Sequence, residues 1–423
     1  MTCLTAVPGG APTEGRFRRL LPLVLATTAT QASIVVLAPL LVEIGHSLDA
    51  SVSAVGLARS VLAGTAFAGS LAFGPLIDRI GVRPLIVRGA ALGLAGAAAT
   101  ALAPTLAVFY AAHVVTGLGV GCLLSAGFAG VASYFSGREM AWAMGYVVGA
   151  QSLAWIVGNP IVGTLAHVGS WRLSYVVPAS VCLAALVAGL MLRSTGMPLR
   201  TAAAIPDDDA PPRPEPISEG LRAVFADRSA RRWTISELVA YSAWSAELTY
   251  AAVFYIRNYD TSVGTIGFLL AGGSLIFLLS SLNTARITTR FTRKPLLVVC
   301  AFGMGAVLVP MLNWAPSVLG TFLMFCAMAV FAGIRLAGSS ALGLEQLPDR
   351  PGAMMGARTS AAQLGYMVGA AGGGLVLALW GFGTLGFVLF AGMALSALLL
   401  AGVHDPWSER QRAASQALPI PVE

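Results

Sequence analysis

Over 423 residues, 57% of the chain is hydrophobic and 11% charged, with a mean hydropathy of +0.78, which leaves too little polar surface for a water-soluble protein of this length. The formal net charge is +7, but no basic cluster with interleaved aromatic residues forms a nucleic-acid-binding face. No Walker loop, metal-ligand cluster, nucleophile elbow or paired catalytic carboxylates is present in the sequence, which argues against an ATPase or any other enzyme.

In chain order, windows of about 20 mostly apolar residues, the length that crosses a bilayer as a helix, predict twelve spans: Leu20–Val42, Val55–Ile77, Leu85–Ala103, Val108–Val131, Ala141–Leu165, Tyr175–Leu192, Trp233–Tyr255, Thr265–Leu282, Leu296–Leu312, Val318–Leu342, Ala353–Trp380 and Phe387–Val403. The first is too long, and its flanks unsuited, for a cleaved signal peptide, so it is expected to stay in the mature chain. Arg16, Arg18 and Arg19 precede span 1, Arg79, Arg83 and Arg88 follow span 2, and Arg286, Arg290, Arg293 and Lys294 follow span 8. Loops on the other side carry Arg172 and Arg257. By the positive-inside rule both termini are expected in the cytoplasm, with the basic excess against the inner leaflet. Cys122, Cys182, Cys300 and Cys326 fall within spans and Cys3 in the N-terminal tail, without metal or redox spacing. They read as small apolar residues.

Between spans 6 and 7 lies the acidic, Pro-rich run Pro206-Asp-Asp-Asp-Ala-Pro-Pro-Arg-Pro-Glu-Pro216, which cannot pack a core and reads as a flexible linker. The end of this linker, Ser218–Arg232, predicts an amphipathic helix with Leu221, Val224 and Phe225 on one side and Arg222, Arg228 and Arg231 available to lipid phosphates. The expected organisation is a cytoplasmic tail over 1–19, a six-helix bundle over 20–192, the linker over 193–232, a second six-helix bundle over 233–403 and a cytoplasmic tail over 404–423. The halves look like repeats: an offset of 211 residues carries Met144-Gly145 to Met355-Gly356, Val157-Gly158 to Val368-Gly369 and Arg83-Pro84 to Lys294-Pro295.

The turn Gly74-Pro-Leu-Ile-Asp-Arg-Ile-Gly-Val-Arg-Pro84 separates two of the apolar runs. Gly74 and Gly81 permit a tight turn, while Asp78, Arg79, Arg83 and Arg88 hold charge at one membrane face. This turn resembles the G-x-L-x-D-R-x-G-x-R/K loop between helices 2 and 3 of the major facilitator superfamily. In the second half Ala285 and Thr289 occupy the places of Gly74 and Asp78, which is expected to leave the charged-turn contacts mainly on the first half. Gly117-Leu-Gly-Val-Gly121 is similar to the glycine-rich stretch of the family's fourth helix, with His113 where its proton-coupled exporters commonly carry an arginine. Gly149 followed by Gly158-Asn-Pro-Ile-Val-Gly163 resembles the helix-5 motif associated with antiporters, with Asn159 interposed before Pro160. Trp171-Arg172 also fits, and is expected to anchor the outer interface.

The resemblance covers nearly the whole chain. It implies an all-α membrane protein of twelve transmembrane helices in two pseudo-symmetric six-helix bundles, with Gly74, Asp78, Arg79, Gly81, Arg83, Gly158, Pro160 and Gly163 in its conformational motifs. A competing signal, Gly381-Phe-Gly-Thr-Leu-Gly386, matches the dinucleotide-binding pattern but joins two apolar spans with no strand before it, so no cofactor is expected.

Polar groups inside spans are the remaining candidates, because each needs a partner or water to offset desolvation. Span 7 carries Glu237, Tyr241, Trp244, Glu247 and Tyr250, whose spacings of three and four suggest one helical stripe. Glu247, about 21 Å along the helix from Trp233 at about 1.5 Å per residue, is the first choice for a proton-carrying carboxylate, with Glu237 and His113 as further titratable candidates. Arg335 is expected to pair with Glu237, or, like Arg59, to contact substrate; Arg59, near the outer end of span 2, is alternatively expected to snorkel. Gln31 in span 1 and Gln151, Trp155 and Asn159 in span 5 complete a candidate cavity for a largely apolar organic ligand.

The favoured function is proton-coupled efflux of a small organic compound by a monomer in a bacterial inner membrane, a source suggested by a basic set that is Arg except for Lys294. The expected partners are the substrate, protons and the lipid bilayer, with no nucleic acid. The alternatives are a symporter or facilitator importing a sugar-like or organic-anion metabolite, for which Arg59, Arg335 and His113 would be the contacts, and a non-transporting membrane sensor on the same scaffold.

Overall fold

The computed structural model describes residues 13–73, 80–135, 137–192, 217–314 and 317–405. Gly74, Asp78 and Arg79 of the charged turn lie outside the described residues, as do most of the linker and the ends of both tails.

The described chain is a succession of long helices at the predicted spans. Span 1 is the helix Thr13–Val35, continued through a 3-10 turn at Ala38–Leu40 and a short helix Leu41–Ser47; Pro39, which has no N–H to donate, sits in that interruption. Span 2 is Val52–Phe73, span 3 Val82–Ala101, span 4 Leu106–Tyr134 and span 5 Gly137–Val168. Span 6 is built from Trp171–Ser174 and Val176–Met191. In the second half, span 7 is Arg228–Tyr259, span 8 Val263–Arg290, span 9 Arg293–Asn313 and span 10 Val318–Leu344. Spans 11 and 12 share the run Pro351–Ala401, broken at Gly381 (φ 79°), a left-handed conformation that glycine adopts without a Cβ penalty. That break accounts for Gly381-x-Gly-x-x-Gly386 as a helix-to-helix turn. Thr105, Asp227, Ser262 and Ser317 start spans 4, 7, 8 and 10 by accepting a first-turn backbone N–H on the side chain.

Nine helical stretches among the described residues are both long and apolar enough to cross a membrane, one of them, Ala353–Ala401, carrying spans 11 and 12. Spans 5 and 7, at 32 residues each, have the length but fall outside that set, because Gln151, Ser152 and Asn159 dilute one and Glu237, Ser242, Ser245 and Glu247 the other. The two least apolar helices are therefore the ones richest in candidate site residues.

The packing is that of two bundles meeting at one end. One core lies within spans 1 to 6 and another within spans 7 to 12. A third joins both halves: Val36, Leu41 and Val55 of the first pack with Tyr250, Val253, Val263 and Leu377 of the second. All of these lie toward the face opposite the chain termini. In span 4, Gly119 lies against Gly89 of span 3, while Gly117 and Gly121 lie against Leu62 and Ala66 of span 2. The alternating glycines thus let three helices approach at one level.

Several expectations change at the rims. The amphipathic helix spans Ile217–Ala226, ending where Asp227 caps span 7, and its Leu221 and Val224 pack into the core of the second half rather than onto lipid. Trp171 is buried against Phe109 and Tyr175 instead of marking the interface, and Arg172 closes span 3 by donating to the carbonyls of Ala101 and Ala103 at 2.8 and 2.9 Å. Arg83 donates to the carbonyl of Leu190 at 3.1 Å, tying the start of span 3 to the end of span 6, and Gly81 before it turns the chain at φ 82°. The second half holds a charged cluster of its own: Arg293 grips both carboxylate oxygens of Glu345, at 3.0 and 2.9 Å, and donates to Asp405 at 2.5 Å.

Candidate functional site

Five spans from both halves contribute to one connected set of polar and aromatic side chains. Trp155 of span 5 donates its indole N–H to the Gln31 side-chain oxygen of span 1 at 2.9 Å. The Arg59 guanidinium of span 2 lies 5.9 Å from the Trp155 ring and 5.7 Å from the Tyr366 ring of span 11, within cation–π range of both. Tyr366 packs edge-on against Tyr241 of span 7, with ring centroids 5.5 Å apart. The Tyr241 hydroxyl accepts from Arg358 of span 11 at 3.0 Å. Gln31, Arg59, Trp155 and Tyr241 thus come together as the sequence suggested. Arg59 is 4% exposed, held by the Ile34 carbonyl at 3.2 Å and by the two rings, so it does not snorkel. Gln151, one turn before Trp155, presents a buried amide nitrogen that has no partner among the described residues.

Arg358 and Tyr366 were absent from the sequence-derived candidates. Arg358 carried the same signal as Arg335, a cation within an apolar window, and Tyr366 stands about two turns beyond it.

Glu237 and Arg335 form the expected buried pair at 2.9 Å, with side chains 0% and 4% exposed. Ser339 donates to the same Glu237 oxygen at 2.9 Å, and Arg335 also donates to the Ser396 hydroxyl at 3.1 Å. Trp233 donates its indole N–H to Ser339. The pair and its serines bind spans 7, 10 and 12, and are occupied with one another.

The expected stripe on span 7 does not hold together. Three-residue steps advance a helix by about 300°, so from Tyr241 through Trp244 and Glu247 to Tyr250 successive members rotate by about 60°, and the five do not share one neighbour. Tyr241 and Tyr250 reach span 11, Trp244 stacks on Phe277 of span 8 at 5.6 Å, and Glu237 turns to span 10. Glu247 enters a small cavity lined by Tyr250, Met311, Leu312, Phe382 and Leu385, where neither carboxylate oxygen has a hydrogen-bond partner among the described residues. His113 lines a cavity in the first half with Ser33, Thr100, Thr116 and Tyr175, its Nδ1 2.8 Å from the Phe109 carbonyl. Thr100 and Met311, again 211 residues apart, line the two cavities, although the same offset carries His113 to Met324 and not to Glu247. Neither His113 nor Glu247 touches the Arg59 set.

Beyond that set, toward the face opposite the termini, the halves close on each other. Ser60 donates to the Met367 carbonyl at 2.8 Å across the halves, and the Tyr250 hydroxyl, which donates to the Ala370 carbonyl of its own half at 2.9 Å, lies against Gly56 of the first half and Gly374 of the second. Spans 5 and 8 meet backbone to backbone. A Cβ on Gly163 would stand 2.6 Å from the Val263 carbonyl oxygen, and one on Gly267 would stand 2.4 Å from that of Asn159, with the Pro160 Cα at 3.2 Å. Gly158 lies against Val35 in the same region. Toward the terminus-bearing face, Gly145 and Gly149 of span 5 and Gly356 of span 11 have nothing within 4 Å of where a Cβ would sit.

The profile of the Major Facilitator Superfamily matches residues 23–260 and 234–421. Multidrug resistance protein MdtH of Aeromonas hydrophila is 29% identical over 308 residues, covering 71% of this chain and 72% of that protein. Among solved structures, a D-xylose-proton symporter superposes with a TM-score of 0.74 at 15% identity, over 93% of this chain and 99% of the other. A bacterial homologue of the human lysosomal transporter Spinster, solved in an inward-facing and unoccupied conformation, superposes with a TM-score of 0.67 at 16% identity, over 98% of this chain and 100% of its own.

Proposed function

The chain belongs to the major facilitator superfamily of membrane transporters, and from that premise we propose that it exports a small organic compound in exchange for protons, by alternating access. The observation that carries this reading is the placement of the Arg59–Tyr366–Tyr241 set: it draws on both halves, at the inner edge of the contact that joins them at one face. A ligand there is in the right place to be exposed to either side as two bundles, over 20–192 and 233–403, rock about it. Efflux is favoured by the relative named as a multidrug resistance protein. The protein sits as a monomer in a bacterial inner membrane with both termini cytoplasmic, so that the closed face is the outer one.

Glu247 carries the proton in this reading. The Glu247 carboxyl is buried with no hydrogen-bond partner among the described residues, and an unpaired charge in an apolar cavity is costly, so ionisation there has to accompany a change in its surroundings. Tyr250 lines the same cavity while its hydroxyl sits in the outer contact between spans 2 and 11. Proton binding at Glu247 is thereby coupled to opening and closing of the outer seal. His113 is the matching titratable group of the first bundle.

In everted vesicles acidified inside, adding a transported compound is expected to alkalinise the lumen as protons leave in exchange. Glu247→Gln should slow this at least tenfold while leaving binding intact and flattening its pH dependence. Substrate equilibration indifferent to the proton gradient would overturn the antiport reading, and an unchanged Glu247→Gln profile would move the proton role to His113.

A further inference from the structure

We propose that the substrate is an organic anion: a carboxylate or similar oxyanion on an aromatic-sized apolar body, with the charged group between Arg59 and Arg358 and the body against the rings of Trp155 and Tyr366. The inference rests on the reading of this set as the substrate site. It gives a charge to the largely apolar ligand expected from the sequence, and carries the organic anion of the importing alternative over to export.

Arg59, Arg335 and Arg358 stand on the helices around the set, and Tyr366 lies in the field of both Arg59 and Arg358. The carboxylate in this neighbourhood is Glu237, and it is bound to Arg335 and Ser339. Glu247 is enclosed with apolar side chains of spans 9 and 12 in its own cavity. Among the described residues neither Arg59 nor Arg358 forms an ion pair. The site therefore carries two guanidinium groups in excess, and a cation would meet repulsion with no acid to receive it.

Within the Arg59–Tyr366–Tyr241 set and the adjoining Gln151, the buried hydrogen-bonding groups left unused are donors, while the unpartnered oxygens nearby belong to Glu237 and Asn159, outside the set. Arg358 Nε and the Gln151 side-chain nitrogen are buried without an acceptor among the described residues. Arg59 spends one terminal N–H on the Ile34 carbonyl and otherwise faces ring surfaces, which accept no strong hydrogen bond. Unmatched donors call for a ligand rich in acceptors, and planar guanidinium groups match carboxylates in both geometry and charge. The aromatic faces beside them favour a flat apolar body. Export of such an anion against an entering proton is consistent in sign: a membrane potential negative inside drives the anion outward and the proton inward.

Three probes with the same ring system and different charge test this on purified protein in nanodiscs: 1-naphthoate, 1-naphthylmethanol and 1-naphthylmethylammonium. Binding is read as saturable quenching of the tryptophan fluorescence lost in Trp155→Phe, and as thermal stabilisation. The naphthoate is expected to bind at least tenfold more tightly than the alcohol and the ammonium. Arg59→Gln and Arg358→Gln should each erase most of that preference, and Arg59→Lys should retain part of it. Equal or tighter binding of the alcohol or the ammonium overturns the charge class while the Trp155 signal keeps the site. Binding that ignores Trp155→Phe, Arg59→Gln and Arg358→Gln alike, or no binding of any probe, overturns the site as well. The wild-type comparison decides the charge class even if an arginine variant fails to fold.

Discussion

Arg335→Met is expected to destabilise the protein by about 3–5 kcal/mol, the loss typical of stripping one partner from a buried ion pair. The Glu237 carboxylate is fully enclosed, and one of its oxygens already lacks a partner. Without Arg335 the other keeps only the Ser339 hydroxyl. Ser236 and Ser396, which bind each other beside Arg335, lose the charge that orients them. Most of the cost comes from the abandoned charge rather than from lost attraction, so Glu237→Gln/Arg335→Met should be substantially more stable than Arg335→Met alone. Thermal unfolding of the purified protein, with all variants in the same detergent, measures both. A single variant as stable as the wild type would show that the pair is not holding spans 7, 10 and 12 together. A double variant no better than the single would show that packing, not charge, is at stake.

Gly267→Val is expected to reduce transport at least a hundredfold while preserving substrate binding. The backbone of span 8 approaches that of span 5 so closely that a Cβ at position 267 would stand 2.4 Å from the Asn159 carbonyl oxygen and 3.1 Å from its carbonyl carbon. Backbone on both sides cannot yield as a flexible side chain would. The bulkier residue should therefore hold the outer contact open, and a cysteine introduced nearby, as in Thr164→Cys, should react faster with a membrane-impermeant reagent added outside. Alanine at Gly145 or Gly356, where nothing lies within 4 Å, serves as the control and should transport normally. If Gly267→Val transports at the wild-type rate, close approach of spans 5 and 8 is not part of the cycle.

Hydropathy is a local property, and it carried a large share of the architecture. A window of about 20 apolar residues has one low-energy solution in a bilayer, a helix that satisfies its own backbone. The spans, the repeat at an offset of 211 and the break at Gly381 were accordingly legible without coordinates. The pairing of Glu237 with Arg335 was legible as one of two alternatives, because two opposite charges buried in apolar windows of the same half have few ways to be satisfied.

The direction in which each polar side chain points was not legible in this way, because it depends on which helices surround each face. Glu237 and Glu247 are the same residue type on the same span, yet one meets a guanidinium and a hydroxyl while the other meets Met311, Leu312, Phe382 and Leu385. Arg59 would snorkel on an isolated helix, whereas here Trp155 and Tyr366, arriving from different halves, enclose it. Arg358 gained its significance only when Tyr241 and Tyr366 packed beside it. Sequence by itself determined how many helices form, where they run and which charges are costly to bury. Tertiary packing decided which of those charges are already answered within the protein and which are not, since hydrogen bonds and ion pairs act over a few ångströms between helices far apart along the chain.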